Sequence, residues 1–256
     1  MSATMKKEEI HRVVQTAYGA VARTVGKTAP VEACCTPSIS AVSDYSAEEL
    51  ASVPRGAYLG EGSGVPVRHA KLKPGETVVD LGAGAGMDSF LAANAVGPTG
   101  RVRGFDLTPE MLERARQNAA EGGYANISFD RADIEHLPLP ADSADAAISN
   151  CVINLTPDKA AVYREIFRVL KPGGRLSVAD IVMRGTPEAL EVFRRQASAG
   201  SWCACVAGAL EQEEYFQAIR GAGFTDLRIA AERPAMSQPG GELAAVAITV
   251  TARKPA

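Results

Sequence analysis

The chain has 256 residues, of which 46% are hydrophobic and 22% are charged, so it is long enough to bury the core of one large α/β domain or of one domain with a small addition. No run approaches about 18 consecutive apolar residues, and the first segment, MSATMKKEEIHRV, lacks an apolar signal core, so we expect neither a membrane span nor secretion. The net charge is −3 and the lysines and arginines are scattered, which gives no sign of a nucleic-acid partner.

The first quarter of the chain predicts short, separate elements. Residues 6–25 carry apolar positions at helical spacing and predict an amphipathic helix. Residues 26–44 predict a loop, and this loop contains two of the five cysteines. Ser46 and Glu49 form a capping-box pattern that predicts the start of a short helix. Residues 55–66 contain four glycines and predict turns.

The middle of the chain alternates between strand and helix patterns. The predicted strands are ETVVDL, RVRGFDL, ISFDRAD, ADAAISN and RLSVADIVM. Helical segments of about ten or more residues separate most of them, which is typical of a doubly wound, mostly parallel sheet with both faces covered. Residues 187–224 predict mainly helix, and the last segment, LAAVAITVTARK, predicts an antiparallel addition to the sheet. We divide the chain into an N-terminal helical, cysteine-containing segment (1–65), a core (66–183) and a C-terminal region (184–256).

A glycine-rich turn lies where the first strand meets the first helix of the core. It contains Asp80, Gly82, Gly84 and Gly86. Glycines let the backbone turn tightly and approach a ligand without a Cβ clash, and the N–H groups of the following helix make an electropositive edge. The pattern alone is weak, because a glycine turn can also serve packing only.

Two aspartates strengthen the ligand interpretation of this turn. Asp106 ends the second strand about 20 residues after the last glycine, where a carboxylate can accept both ribose hydroxyls. The third glycine comes one residue too early for the dinucleotide pattern. Asp133 follows the third strand and can accept the adenine amino group, although a solvated loop acid or a helix cap fits it as well. Together these points favour S-adenosylmethionine (SAM) over a dinucleotide.

Four segments resemble the class I SAM-dependent methyltransferases: VVDLGAGAG, GFDLTPEML, RADIEHLPLPADSADAAISN and RVLKPGGRL. The resemblance spans about residues 70–180 and implies a Rossmann-like fold with SAM as the cofactor. It also implies cofactor-binding roles for Asp80, Gly82, Gly84 and Gly86 around the methionine part, Asp106 and Leu107 at the ribose, Met111, Asp133 and Ile134 at the adenine, and Asn150 near the methionine end.

The chain contains five cysteines, which is an odd number. Without a signal peptide they argue for a reducing compartment, where cysteines are free, metal-binding or catalytic, so we expect a cytoplasmic protein. The sequence leaves the oligomeric state open, and a monomer is the default expectation. Cys151 directly follows the fourth strand, at the edge where ligands of open α/β sheets bind. Cys205 lies in the helical region after the fifth strand. Two thiols converging there suit a soft substrate, although a free cysteine can also pack as a small hydrophobe.

The cysteine segments resemble a narrower family, the arsenite SAM methyltransferases. The matching stretches are Ser149–Leu155 (SNCVINL), Cys205–Leu210 (CVAGAL) and Ala33–Cys35 (ACC). The resemblance implies that Cys151 and Cys205 bind trivalent arsenic, and that Cys34 or Cys35 acts in redox cycling and can contribute a third sulfur. It further implies arsenite or its glutathione conjugate as substrate, with glutathione or thioredoxin as reductant.

The sequence departs from that family in one turn. A further cysteine is usual before the first strand, in a Gly-Cys-Gly turn, and here Glu61 takes its place. A relay through that thiol is therefore in doubt, and Cys34 or Cys35 could substitute for it. Cys203 is an additional thiol that could act as a ligand or pack beside Trp202.

Three other functions remain open from the sequence. A SAM-dependent C- or O-methyltransferase of a small organic molecule shares the core motifs. A non-catalytic arsenic-binding protein would use the cysteines without needing Asp106. A nicotinamide oxidoreductase is disfavoured by the glycine spacing.

Overall fold

The computed structural model describes residues 7–24, 44–196, 208–237 and 243–256. Eight helices lie within these ranges: α1 (Lys7–Thr24), α2 (Ala47–Ala51), α3 (Pro66–His69), α4 (Met87–Val96), α5 (Pro109–Glu121), α6 (Lys159–Val169), α7 (Pro187–Gln196) and α8 (Gln212–Gly221). The strands are β1 (Thr77–Leu81), β2 (Arg101–Asp106), β3 (Ile127–Arg131), β4 (Ala144–Asn150), β5 (Leu170–Gly185), β6 (Thr225–Ser237) and β7 (Leu243–Arg253). None of the helices in these ranges combines the length and apolar character needed to cross a bilayer.

The seven strands form one sheet in the order β3-β2-β1-β4-β5-β7-β6. The first five pair in parallel, and β7 is inserted antiparallel between β5 and β6. The predicted doubly wound, mostly parallel α/β fold is therefore confirmed, and so is the antiparallel addition by the last segment. The strand order reverses between β1 and β4, so the carboxyl ends of these two strands flank the crevice in which such sheets bind ligands.

Helices cover both faces of the sheet because its central strands are apolar on both sides. On one face, α6 and α8 bury Tyr163, Ile166 and Ile219 against β4, β5 and β7. On the other face, α4 and α5 contribute Phe90 and Leu112 to a second core. The helix α4 is buried almost all round, as expected for a helix enclosed by other elements.

The N-terminal elements lie at the carboxyl edge of the sheet. The capping box predicted at Ser46 is present, with the Ser46 hydroxyl accepting from the Glu49 N–H at 3.2 Å. The helix α1 packs on α5, and Arg114 donates to the Ala22 carbonyl at 3.1 Å. Gln15 reaches the Leu107 carbonyl at the end of β2, so α1 covers the edge where the site lies.

Candidate active site

The turn after β1 has a backbone shape that requires glycine at two positions. Gly82 and Gly86 have φ angles of +70° and +100°, in the region that favours glycine. The N–H of Gly82 donates to the Phe105 carbonyl at 2.8 Å. A Cβ at Gly82 would lie 2.4 Å from the Val152 side chain, and one at Gly86 would lie 2.6 Å from Phe90. Close packing therefore requires both glycines, whatever they contribute to a ligand.

Asp106, at the end of β2, accepts two backbone hydrogen bonds across the same edge. Its Oδ2 accepts from the Gly84 N–H at 3.0 Å, and its Oδ1 accepts from the Thr108 N–H at 2.8 Å. Removal from water raises the pKa of this carboxyl, and the two N–H donors counteract part of the rise. The carboxylate is thus held in a fixed orientation at the ligand-binding edge of the sheet.

Two further carboxyls are buried beside the turn. Asp80 is 2% exposed and accepts a hydrogen bond from the Ser89 hydroxyl at 2.6 Å. Burial, with a smaller contribution from the nearby Asp88, raises the pKa of Asp80 well above its usual range. Burial also raises the pKa of Asp88 to about 6, although hydrogen bonds from Asn150 and Tyr45 oppose the rise.

Asp88, Tyr45 and Asn150 form a hydrogen-bonded group between α4 and the end of β4. The Tyr45 hydroxyl donates to Asp88 Oδ2 at 2.7 Å, and Asn150 Nδ2 lies 3.0 Å from the same oxygen. The other oxygen, Oδ1, is buried without a hydrogen-bond partner among the described residues. An unpaired buried acceptor costs free energy, and Asp88 itself lies at the wall of the neighbouring cleft.

Cys151 follows β4 in a constrained backbone conformation. Its φ angle is +65°, and its N–H donates to the Ala179 carbonyl at 2.8 Å. The half-buried side chain places Sγ 2.9 Å from the Ser63 hydroxyl. A non-glycine residue in this region is strained, and such strain concentrates at functional sites.

These groups line one open cleft of about 1150 Å³, including its mouth. Ten of the residues singled out from the sequence lie in its wall: Asp80, Gly82, Gly84, Asp106, Leu107, Met111, Asp133, Ile134, Asn150 and Cys151. Gly86 is not in the wall and faces Phe90 instead. Cys34, Cys35, Cys203 and Cys205 lie outside the described residues.

The titratable side chains in the wall of the cleft are mainly acidic. Among the described residues that line it there are five aspartates and glutamates and no lysine or arginine. The acids are Glu61, Asp80, Asp88, Asp106 and Asp133. Such a wall attracts a ligand that carries positive charge.

The helix α1 closes the cleft near Asp133. His11, Asp133 and Glu135 bring their ligand atoms within 4.8 Å of one another, as a metal site would. The ammonium of Lys7 pairs with Glu135 and lies 3.3 Å from Asp133. The chain therefore supplies a cation of its own to these carboxylates.

Sequence reasoning missed several groups in the wall. Asp88 comes two residues after the glycine turn, and an acid in the first turn of the following helix was a signal that could have been used. Tyr45 is separated from Asp88 by 43 residues, and His11 and Tyr18 lie on α1. No local pattern marks these three residues, because only the tertiary structure brings them to the cleft.

Comparison with known proteins agrees with this geometry. Residues 72–223 match the family described as "Methyltransferase domain". The chain is 42% identical over 202 residues to an arsenite methyltransferase of Halobacterium salinarum, covering 77% of this chain and 50% of that protein. It is 34% identical over 232 residues to an arsenite methyltransferase of Aquipseudomonas alcaligenes, covering 88% and 65%.

A solved structure shows the same relationship in three dimensions. It is an arsenic(III) S-adenosylmethionine methyltransferase from Chlamydomonas reinhardtii, 33% identical, with a TM-score of 0.64 over 86% of this chain and 74% of that chain. The chain spans about half to two thirds of the length of the curated relatives given above. The family match, the identities and the shared fold together show that this chain belongs to the arsenite S-adenosylmethionine methyltransferase family.

Proposed function

We propose that the protein transfers methyl groups from SAM to trivalent arsenic held by cysteine thiolates, giving methylated arsenicals and detoxifying arsenic. The observation that carries the proposal is the position of Cys151, whose thiol lines the same cleft as Asp106 and Asp80. The proposed arsenic ligand and the proposed cofactor-binding acids therefore share one cavity.

The described residues fit SAM. When bound, SAM supplies a methyl group on a positively charged sulfonium. Asp106 accepts hydrogen bonds from the ribose, and Asp133, Ile134 and Met111 enclose the adenine. The methionine part, with its ammonium group, belongs near Asp80, Gly82, Gly84 and Asn150. The acidic residues of the wall, Asp88 among them, support this orientation, because they favour the cationic end of the molecule.

Cys205 is proposed as the second arsenic ligand. Gly208, three residues later, lies against the Asn154 carbonyl, immediately after the Cys151 loop. This contact of Gly208 supports the proposal, because it is made by the described residue that follows Cys205 by only three positions. Cys34 or Cys35 contributes a third sulfur or the redox partner, and glutathione is the other source of that sulfur.

The thiols lose their protons and replace the hydroxyls of arsenite, since thiolates are the ligands of soft ions. The residues of the cleft then hold the arsenic lone pair in line with the methyl group and exclude water. Arsenic carries no proton to be removed, so no strong general base is required. Methyl transfer formally oxidises arsenic to the pentavalent state. Two protein thiols return it to the trivalent state by forming a disulfide, which glutathione or thioredoxin reduces.

Several finer assignments belong to the same proposal. The substrate is arsenite or its glutathione conjugate, and the protein is a cytoplasmic monomer, consistent with reduced thiols. The cofactor-binding core is 66–183, preceded by the cysteine-containing segment 1–65 and followed by the arsenic-binding region and closing strands, 184–256. Glu61 replaces the usual thiol of its turn, so the redox relay runs through the other cysteines.

The test is to incubate the protein with SAM, arsenite and excess glutathione and to separate arsenic species by chromatography with elemental mass detection. Wild type is expected to form methylated arsenicals. Cys151→Ser and Cys205→Ser are each expected to form none while still binding SAM. Cys203→Ser is the matched control and is expected to retain most of the activity. Normal turnover by Cys151→Ser, or no methylarsenic from a wild-type protein that binds SAM, contradicts the proposal.

A further inference from the structure

Ser63 is a buried residue next to the Cys151 thiol, and the function proposed above does not use it. Only 4% of its surface is exposed. Its N–H donates to Asn150 Oδ1 at 2.9 Å, and Asn150 Nδ2 donates in return to the Gly64 carbonyl at 2.9 Å. This reciprocal pair ties the glycine-rich segment to the end of β4, and it leaves the Ser63 hydroxyl facing the neighbouring residue of that strand end, Cys151.

The segment that carries Ser63 is also fixed from the opposite side. A Cβ at Gly64 would lie 2.8 Å from Thr249 Oγ1 and 3.0 Å from the Ala179 Cβ, so the backbone is in tight contact with β5 and β7. The Ser177 hydroxyl donates to the Pro66 carbonyl at 2.8 Å. Ser63 therefore has little freedom to move away from the thiol.

The sulfur is fixed by separate constraints. The φ angle of +65° and the hydrogen bond from its N–H to Ala179 set the direction of the Cys151 Cβ. The backbone interactions thus fix the Cβ atoms of both residues, and their side-chain rotamers bring the Ser63 hydroxyl to 2.9 Å from Cys151 Sγ.

The electrostatics of the cleft make such a donor useful. Glu61, Asp80 and Asp88 line the same cavity as Cys151, and the described residues of its wall include no lysine or arginine. A hydroxyl that donates to the thiolate supplies a favourable interaction that such a wall does not offer, and hydrogen bonds to charged groups are the stronger ones.

We propose that Ser63 is a positioning residue, whose hydroxyl donates a hydrogen bond to the thiolate form of Cys151 and so holds this sulfur ready for a soft electrophile. The inference rests on the proposed function in one respect, that Cys151 binds the substrate as a thiolate. It assigns a role to Ser63, the third residue of the turn Glu61–Ser63. This turn lacks the cysteine that is usual in the family.

The test is the rate at which iodoacetamide alkylates Cys151 at pH 7 in arsenic-free buffer, followed by peptide mass spectrometry. Losing a charge-assisted hydrogen bond weakens the interaction with the sulfur by about 10- to 100-fold. The higher intrinsic nucleophilicity of a sulfur without that hydrogen bond recovers about half of this on a logarithmic scale. Ser63→Ala is therefore expected to slow alkylation about three- to tenfold.

Ser177→Ala is the matched control, because it removes a buried hydroxyl that holds the same segment without touching Cys151. Its alkylation rate is expected to stay within about twofold of wild type. Ser63→Thr keeps the hydroxyl and is also expected to stay near the wild-type rate, so it serves if the alanine variant does not fold. An unchanged or faster rate in Ser63→Ala, an equal loss in Ser177→Ala, or a tenfold loss in folded Ser63→Thr overturns the inference.

The alkylation assay also separates this inference from the proposed function. If wild type makes no methylarsenic and the Ser63→Ala alkylation rate is still lower, the proposed function fails and the hydrogen bond stands. If wild type makes methylarsenic and the two alkylation rates are equal, the inference about Ser63 fails alone.

Discussion

The substitution Gly208→Ala tests how tightly the segment after Cys205 packs against the loop after Cys151. A Cβ at Gly208 would lie 1.9 Å from the Asn154 carbonyl oxygen. Carbon–oxygen contacts in proteins are about 3.3 Å or longer, so one of the two segments has to move by roughly 1.4 Å. The substitution therefore presses apart the segments that lead to the two proposed arsenic ligands.

Asn154 has little room to yield. It is fully buried, its Nδ2 donates to the Ile181 carbonyl at 2.7 Å, and its carbonyl accepts from Lys159 Nζ at 3.4 Å. Overpacking costs about 1–3 kcal/mol, and a displaced hydrogen bond adds about 1 kcal/mol. We expect the free energy of unfolding to fall by about 2–4 kcal/mol, which lowers the Tm of a chain of this size by about 4–16 °C.

The assay is thermal unfolding of the full chain, with SAM affinity and methylarsenic formation measured on the same samples. Gly221→Ala is the matched control, since a Cβ there meets no atom within 4 Å and alanine favours the helix. Gly208→Ala is expected to lose methylarsenic formation while binding SAM. A Tm within 1 °C of wild type, or a fall no larger than that of the control, refutes the reasoning about Asn154.

Two predictions concern pH. SAM affinity is expected to rise with pH up to about 6 and then level off, because burial raises the pKa of Asp88 to about 6 and only its carboxylate attracts the cationic end of the ligand. In calorimetric titrations, Asp88→Asn is expected to flatten this pH profile. If the SAM affinity of the wild type does not change between pH 5 and 7.5, the role of Asp88 is contradicted. Burial raises the pKa of Asp180 from 3.8 to about 7, so between these values the folded chain holds a proton that the unfolded chain has released. The free energy of unfolding should therefore fall by up to roughly 4 kcal/mol as pH rises from 4 to 7. Urea titrations at pH 5 and 8 measure this pH dependence of the free energy of unfolding, which Asp180→Asn is expected to remove. An equal pH dependence in the variant and the wild type contradicts the role of Asp180.

The order of strands and helices could be predicted from the sequence, because it depends on local periodicity. The alternation of apolar strands with amphipathic helices indicated a parallel sheet with both faces covered, and the structure has it. The last segment was expected to join the sheet antiparallel, and β7 does so. Its place between β5 and β6 has no local signal, since strand order depends on which edges meet in the folded chain.

The residues of the candidate site likewise include some that the sequence predicted and others that only the structure revealed. Spacing along the chain was enough to single out Asp106 and the glycine turn, because a parallel sheet brings the ends of its strands to one edge. The reason for individual glycines was not visible in that spacing. Gly82 must be glycine because Val152, 70 residues later, occupies the space of a Cβ. Tyr45 likewise reaches the cleft, and Ser63 reaches Cys151, only through the tertiary structure.

The sequence by itself therefore determined the fold class, the family and the chemistry of the residues at the sheet edge. Residue type and spacing carry that information without reference to distant parts of the chain. Only the tertiary structure decided which side chains meet at Cys151 and in the cleft. The Ser63 hydroxyl lies 88 positions from Cys151 along the chain, and Asp88, whose Oδ1 has no hydrogen-bond partner among the described residues, lies 63 positions from it. Their roles arise from strand pairing and burial, because a hydrogen bond and the free energy of a buried charge depend on distances in space.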